Sequence, residues 1–449
     1  MKRKLIRISI VLLLLALPLL AWRIYLGHVI NKQLVKIRTA GLPTNGEELN
    51  RWCASVPDEK NAALVLTQAF ALRRLYPDSR SNLVFKFKLP KRGEALSREQ
   101  TDLLEGYLAL NDARLKKADE ALRLPVSRYP VDCTKLMNTL LPHLGWLKEI
   151  AELHQFSAYL ALESGKTTSA SSNIVSMLAL AGTLNAEPCL ISQLVRLKLI
   201  DMAFTTLERR ANATAFSPAE AQSLTAAFAQ AHPEGSVVLG LIGDRAMVIP
   251  YFRMTRAEAE KIRPPTNGEE SRRDSPLPCN GPAILRIIGY YELDYGSFLI
   301  GMSKALVLLS NSPPENLRAS GYLLRAGEGS KKRQRTISAQ VFSGYAGCVW
   351  RENEALARQR LALTALAVES FRNDNGHAPE NLDELAPKFF SEVPEDPFTG
   401  IELEYRVRTN GYVIYSVGRD LEDNDGLEQS DKKQSDDQKS CDITFTVER

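Results

Sequence analysis

Asn375-Gly376-His377-Ala378-Pro379 closes an amphipathic run whose apolar positions are Leu361, Leu363, Ala365, Leu366 and Phe371. Glycine followed shortly by proline is a common way for a helix to end. Leu382 and Leu385 come next, then Pro394-Glu395-Asp396-Pro397-Phe398-Thr399-Gly400, a turn by composition. Two strand-patterned runs follow, Leu403–Val407 and Tyr412–Val417, and lead into an acidic loop that closes with Asp442-Ile443-Thr444-Phe445. A long helix followed by strand-patterned runs reads as an α+β module over residues 351–449.

Upstream of that module the apolar periodicity is helical. Asn61 is placed to cap a helix carrying Val65, Ala69, Leu72 and Tyr76. Ser97 and Gln100 form a capping box ahead of Leu104, Leu108, Leu115, Ala118 and Leu122. Three further helices are expected near 140–163, 168–185 and 188–210, and Ser217-Pro218-Ala219-Glu220 opens another. Long helices joined by short turns predict antiparallel hairpins, stacked in a solenoid or tetratricopeptide-like layout without a strict repeat. The expected fold class is therefore mainly α. Residues 45–262 form a helical domain, 263–282 a linker rich in Pro, Gly, Ser and charge, and 283–350 a helical continuation. The last long helix, about 347–374, joins that continuation rigidly to the module.

The N-terminus predicts a membrane anchor. A basic tail (residues 1–6) precedes an apolar run from Ile8 to Trp22 that Ile24, Tyr25 and Leu26 extend, giving a transmembrane helix over 7–26. Roughly 17–25 residues suffice to cross a bilayer. Trp22 and Tyr25 suit the interface, and Arg23 can snorkel to the headgroups. Leu19-Leu20-Ala21-Trp22 is a poor cleavage site, so the anchor is expected to be retained. Residues 27–44 read as a basic stalk. Lys2, Lys4 and Arg7 are the closest flanking charges and favour a cytoplasmic N-terminus.

Composition excludes several classes of function. The 449-residue chain is 44% hydrophobic and 24% charged with a net charge of +4, its basic residues spread along its length. That is not the footprint of a nucleic-acid binder. The exception, Lys331-Lys332-Arg333-Gln334-Arg335, reads as a solvated loop. Ser164-Gly165-Lys166-Thr167 resembles the end of a phosphate loop, but Leu160 stands where the first glycine is required, so no nucleotide is expected. His143 and His154 could share a helix face but would sit about 16 Å apart at 1.5 Å rise per residue, too far for one metal. No nucleophile elbow is present, and no catalytic residue is assigned. Tyr290, Tyr291, Tyr295 and Phe298, with Glu292 and Asp294, read as helix packing. Asn212-Ala213-Thr214 fits a glycosylation sequon and carries no argument. Six cysteines (Cys53, Cys133, Cys189, Cys279, Cys348, Cys441) show no C-x-x-C spacing, which leaves disulfides and buried thiols equally open.

The acidic loop is the site candidate. From Asp420 to Asp442 the chain carries nine Asp and Glu against three Lys. Calcium takes six to eight oxygen ligands, which carboxylates, amides and backbone carbonyls supply. An EF-hand is excluded by register, because aligning Asp423, Asp425 and Gly426 puts Leu421 at the first ligand position and Lys432 at the last. The order of the module, with Ser416-Val417-Gly418-Arg419-Asp420 ending one strand and Asp442 opening the last, resembles the soluble C-terminal half of type II secretion pseudopilins of the major, G type. The resemblance implies a long helix packed on a small sheet. It also implies a calcium ion held by Asp420 and Asp442, with Asp425 and Asp437 as intervening ligands. It covers residues 351–449 only, and no acid interrupts Ile8–Trp22 where a true pseudopilin carries one, so assembly into a pilus is not implied. The whole arrangement resembles large membrane-anchored proteins of bacteria such as planctomycetes and verrucomicrobia, a likeness that brings no activity with it.

Together these readings predict a non-catalytic, membrane-anchored binding or scaffold protein of the bacterial envelope. It would be single-pass in the inner membrane through residues 7–26, with its bulk in the periplasm and an envelope protein as its partner. One alternative is an accessory component of a type II secretion or pilus-like system. The other is an envelope enzyme with its site between the helical domain and the module.

Overall fold

The computed structural model of the chain describes residues 2–78, 80–84, 86, 88–261, 282–428 and 441–449. Asp437 and the expected linker, apart from Pro282, lie outside the described residues. The protein is mainly helical, with a three-stranded antiparallel sheet near its C-terminus. Its helices are α1 (Lys2–Thr39), α2 (Gly46–Trp52), α3 (Ala62–Ala71), α4 (Arg80–Val84) and α5 (Arg98–Ala121). They continue with α6 (Pro142–Glu163), α7 (Thr167–Gly182), α8 (Leu190–Ala213), α9 (Pro218–Ala231), α10 (Ser236–Val248) and α11 (Arg256–Lys261). The last four are α12 (Ala283–Ile287), α13 (Tyr290–Leu309), α14 (Arg318–Lys332) and α15 (Thr336–Asn375).

Local chemistry sets most helix ends. The Asn61 side chain accepts from the Ala63 amide, and Ser97 with Gln100 and Ser217 with Glu220 close both bonds of a capping box. Gly376 ends α15 in the left-handed region, which costs glycine little. The start of α15 departs from the sequence expectation by eleven residues. Its first turn is capped from another helix: the Asp294 carboxylate on α13 accepts from the Ile337 amide at 3.2 Å and the Ser338 amide at 3.4 Å. A cap that comes from forty residues away leaves no local signature.

The 40-residue α15 is the spine of the molecule. Its first half (Phe342, Tyr345, Val349) is buried in one core with α1, α10, α13 and α14. Its second half (Leu361, Ala365, Val368) is buried in another with α3, α6 to α9 and the sheet. The C-terminal module therefore shares its core with the upstream helices rather than standing as a separate body.

The segment 27–39, read from sequence as a stalk, is the continuation of α1 and is packed. Leu26, Ile30, Leu34 and Ile37 recur at helical spacing and are buried, the last three in the core shared with α10, α13 and α14. Among the described residues, the one stretch long and apolar enough to cross a membrane is Pro218–Phe252, which spans α9 and α10 rather than the expected anchor 7–26, and 67% of its apolar window is buried inside the protein, as for core helices.

The sheet consists of β1 (Glu404–Arg408), β2 (Gly411–Ser416) and β3 (Ile443–Val447), in that order and antiparallel. Central β2 pairs Ile414 with Tyr405 on one side and with Phe445 on the other. Tyr412 and Ile414 join the core beneath α15, while Gly426 of the acidic loop closes on Tyr415 and Val413. The free edge of β3 is satisfied by α8. Asn212 Nδ2 donates to the Thr446 carbonyl at 2.7 Å, its Oδ1 accepts from the Glu448 amide at 2.8 Å, and Glu208 accepts from the Thr446 amide at 2.8 Å. Two side chains on a helix thus stand in for a fourth strand and cover an edge that would otherwise invite pairing. This use of Asn212 removes it as a sequon asparagine.

Candidate functional sites

A cavity of about 290 Å³ opens between the end of α2, the segment 125–133 and the α7–α8 turn. The Arg128 guanidinium holds one wall by donating to the carbonyls of Asn50, Cys53 and Ala54 at 2.8 to 3.0 Å. Gly243 of α10 supports the floor, because a Cβ there would collide with the Pro188 carbonyl. Three cysteines line this space: Cys53, Cys133 and Cys189. The last two are buried in an apolar cluster with Leu49, Leu136, Ala246 and Met247. A hydrogen bond from the Cys189 thiol lowers the pKa of Cys133, and the same bond with burial pushes Cys189 up. Burial pushes the Cys53 thiol up as well.

A polar chain runs from the cavity wall, which Tyr129, Thr183 and Glu187 line, into the protein. Tyr129 bonds to Thr183 at 3.0 Å and stacks on His143, ring centroids 4.2 Å apart. His143 Nε2 meets the Glu187 carboxylate at 3.0 Å, and Ser192 donates to that carboxylate. This arrangement can hold a small apolar or thiol-reactive group against a rigid wall. The sequence reading singled out neither the cavity nor the three cysteines as a group, because residues 53, 133 and 189 come together only through the fold. His154, once weighed with His143, is buried elsewhere against Asn173 at 2.9 Å.

The acidic loop is bounded by the turn quoted at the outset. Asp396 in that turn is buried and accepts from the amides of Phe398 and Val417 and from the Ser416 hydroxyl, each at 2.9 Å. It thereby fixes the point where β2 hands over to the loop. Burial raises its pKa against the pull of these donors.

The structure places the expected calcium ligands unevenly. Asp442 Oδ2 accepts from the Gly426 amide at 2.7 Å and Oδ1 from the Asn424 amide at 3.4 Å. Asp420 Oδ2 accepts from the Asn424 side chain at 3.2 Å. These two carboxylates therefore converge on one residue. Asp425 turns away to pair with Arg406 at 2.6 Å. Burial raises the pKa of Asp442, so a neighbouring positive charge would relieve it. Among the described residues, no group of three or more His, Cys, Asp or Glu is placed to hold a metal ion.

Comparison with known proteins returns no match: no family model fits the sequence, and no curated protein or solved structure is similar to it.

Proposed function

We propose that the protein is a membrane-anchored, non-catalytic binding scaffold of the bacterial envelope, single-pass in the inner membrane with its bulk in the periplasm. The change of face along α1 carries this reading. Leu14 is 63% exposed, and Ile10, Leu17, Leu20 and Ile24 are exposed with it, whereas Ile30 is 1% exposed and packed in the core. One continuous helix thus turns Ile10, Leu14, Leu17, Leu20 and Ile24 outward and Ile30, Leu34 and Ile37 inward. An outward apolar face is what a bilayer stabilises. The rigid junction at Leu26 holds the helical body at a set height, and the cavity beside Cys53 offers a place for a ligand or partner segment.

Fractionation of the full-length chain tests the anchor. The protein should remain in membranes washed with alkaline carbonate and dissolve in detergent, and Leu14→Lys combined with Leu17→Lys should release it. A native chain found in the carbonate wash would overturn the reading.

The convergence of Asp420 and Asp442 on Asn424 favours a second, compatible reading, in which the C-terminal module is pseudopilin-like and binds calcium. Asp420 and Asp442 would hold the ion, which would supply the positive charge that the buried Asp442 lacks and stiffen the loop. Asp425 would contribute after leaving Arg406. Calorimetric titration of calcium into the full chain should give heat that Asp420→Ala and Asp442→Ala both abolish. No heat at millimolar calcium would reject the metal site. Co-purification with secretion pseudopilins would move the assignment to an accessory component of that machinery.

A further inference from the structure

Short helix α12 is held where the outward-facing part of α1 ends. The Trp22 indole donates to the Ile288 carbonyl at 3.1 Å, and Arg23 donates to the Arg286 carbonyl at 2.7 Å. Arg23 also pairs with Glu292 at 2.6 Å. A Cβ at Gly289 would meet Leu26, while one at Gly296 would approach Val29, so α13 runs beside α1 in the same direction. Because α12 precedes α13, it lies at the end of that pair nearer the apolar half of α1. Its side chains are not folded into a core: Ile284 is 61% exposed and Ile287 55%, with Ile288 exposed beside them. Trp22, Ile24 and Tyr25 are exposed on α1 at the same level.

The basic cluster set aside in the sequence reading comes to this end too. Tyr290 donates to the Gln334 carbonyl and Arg335 to the Ser297 hydroxyl, which ties the α14–α15 turn to the first two turns of α13. Lys331 and Lys332 at the end of α14 and Arg333 just after it are exposed. An apolar patch of isoleucines and aromatics therefore shares this end of α13 with the cationic side chains of Lys331, Lys332 and Arg333.

We propose that α12, with the 331–335 turn, is a second membrane contact: Ile284, Ile287 and Ile288 enter the interface of an anionic bilayer while Lys331, Lys332 and Arg333 meet its headgroups. The proposal rests on the anchor reading, since α1 sets the height of this patch. Two observations select a lipid surface over a protein partner. The patch is continuous with the outward apolar face of α1, and the charges around it have the sign that anionic headgroups attract. Trp22 and Tyr25 are the residue types that occupy a membrane interface. The body would then be fixed in tilt as well as height, because two points on one rigid unit touch the membrane. The cavity would accordingly keep a constant orientation to the bilayer.

The test uses full-length protein in vesicles of mixed phosphatidylglycerol and phosphatidylcholine, with a photoreactive benzophenone amino acid replacing Leu17, Ile287 or Ile401. Ile401 is an exposed apolar control on the C-terminal module. Lipid adducts should form at 17 and 287, and at 287 should exceed those at 401 by on the order of tenfold, as for a side chain inside the headgroup boundary. Reversing charge with Lys331→Glu, Lys332→Glu and Arg333→Glu should reduce the adduct at 287 severalfold and leave that at 17 unchanged. Adducts at 17 but not at 287 would overturn the second contact and leave the anchor standing. Adducts at neither position would remove both. Protein rather than lipid adducts at 287 would assign the patch to a protein partner and overturn the proposal.

Discussion

Asp396 accepts the hydroxyl of Ser416 across the start of the C-terminal sheet at 2.9 Å, with the Val417 amide on its other oxygen. A turn and a strand end that are separate patterns in sequence are thereby one structural unit. Asp396→Ala leaves the Val417 and Phe398 amides and the Ser416 hydroxyl without their acceptor. The expected loss is about 2–4 kcal/mol of stability, read by denaturant unfolding, because buried donors left unsatisfied cost roughly 1–3 kcal/mol each with partial rescue by water. Asp396→Asn should recover part of it.

The edge of β3 depends on α8 in the same way. Asn212→Leu removes both side-chain bonds to Thr446 and Glu448 and should destabilise the protein by about 1–3 kcal/mol. For the same reason, and because the sheet shares a core with α7 to α9, the isolated fragment 345–449 should not give a cooperative unfolding transition. A cooperative transition in that fragment would show the shared core to be dispensable.

Arg245 of α10 is 2% exposed, and among the described residues its Nε and Nη2 have no hydrogen-bond partner. Burial pulls its pKa down to about 10. A buried guanidinium without a counter-charge is costly, and an apolar side chain of similar length removes that cost. Arg245→Met should raise the melting temperature, with a gain of roughly 1–3 kcal/mol. A loss of stability would mean that the guanidinium is satisfied in solution.

Gly289 lies at φ +82 against Leu26. Gly289→Ala forces a side chain into the left-handed region at a cost of about 1–2 kcal/mol and pushes on the α1 contact. Faster hydrogen exchange along residues 26–37, with the exchange of β2 unchanged, is the expected signature.

Stability should fall as pH rises from about 5 to 7, because burial raises the pKa of Glu352 and Glu208 to about 7 each and Asp244 to about 6. The sign follows from proton counting. Over that window the native state holds protons on these acids that the unfolded chain has released, so raising pH favours unfolding until the native values are passed. Glu352 accepts from the Gly235 amide at 3.1 Å and from the Val237 amide at the start of α10. Glu352→Gln should flatten the slope of unfolding free energy against pH between 5 and 7 by up to about one proton. An unchanged slope would show that Glu352 is ionised throughout.

The sequence by itself determined what lies within a few residues of its own cause. The caps at Asn61, Ser97 and Ser217, the end of α15 at Gly376 and the presence of β1 and β2 all follow from hydrogen bonds and periodicities that close locally. Asp396 lies in a quoted turn, yet its partner at 416 could not be read from it. Tertiary structure alone decided the rest. It extended α15 back to Thr336 by a cap from Asp294, buried the expected stalk, gathered Cys53, Cys133 and Cys189 at one cavity, and turned Asp425 away from Asp420 and Asp442. It also set Ile288 beside Trp22, 266 positions away in the chain. The physical reason is common to all of these. A side chain's own neighbours restrict its backbone, but its burial and charge environment are set by whatever the folded chain brings against it, and no pattern of short period records that.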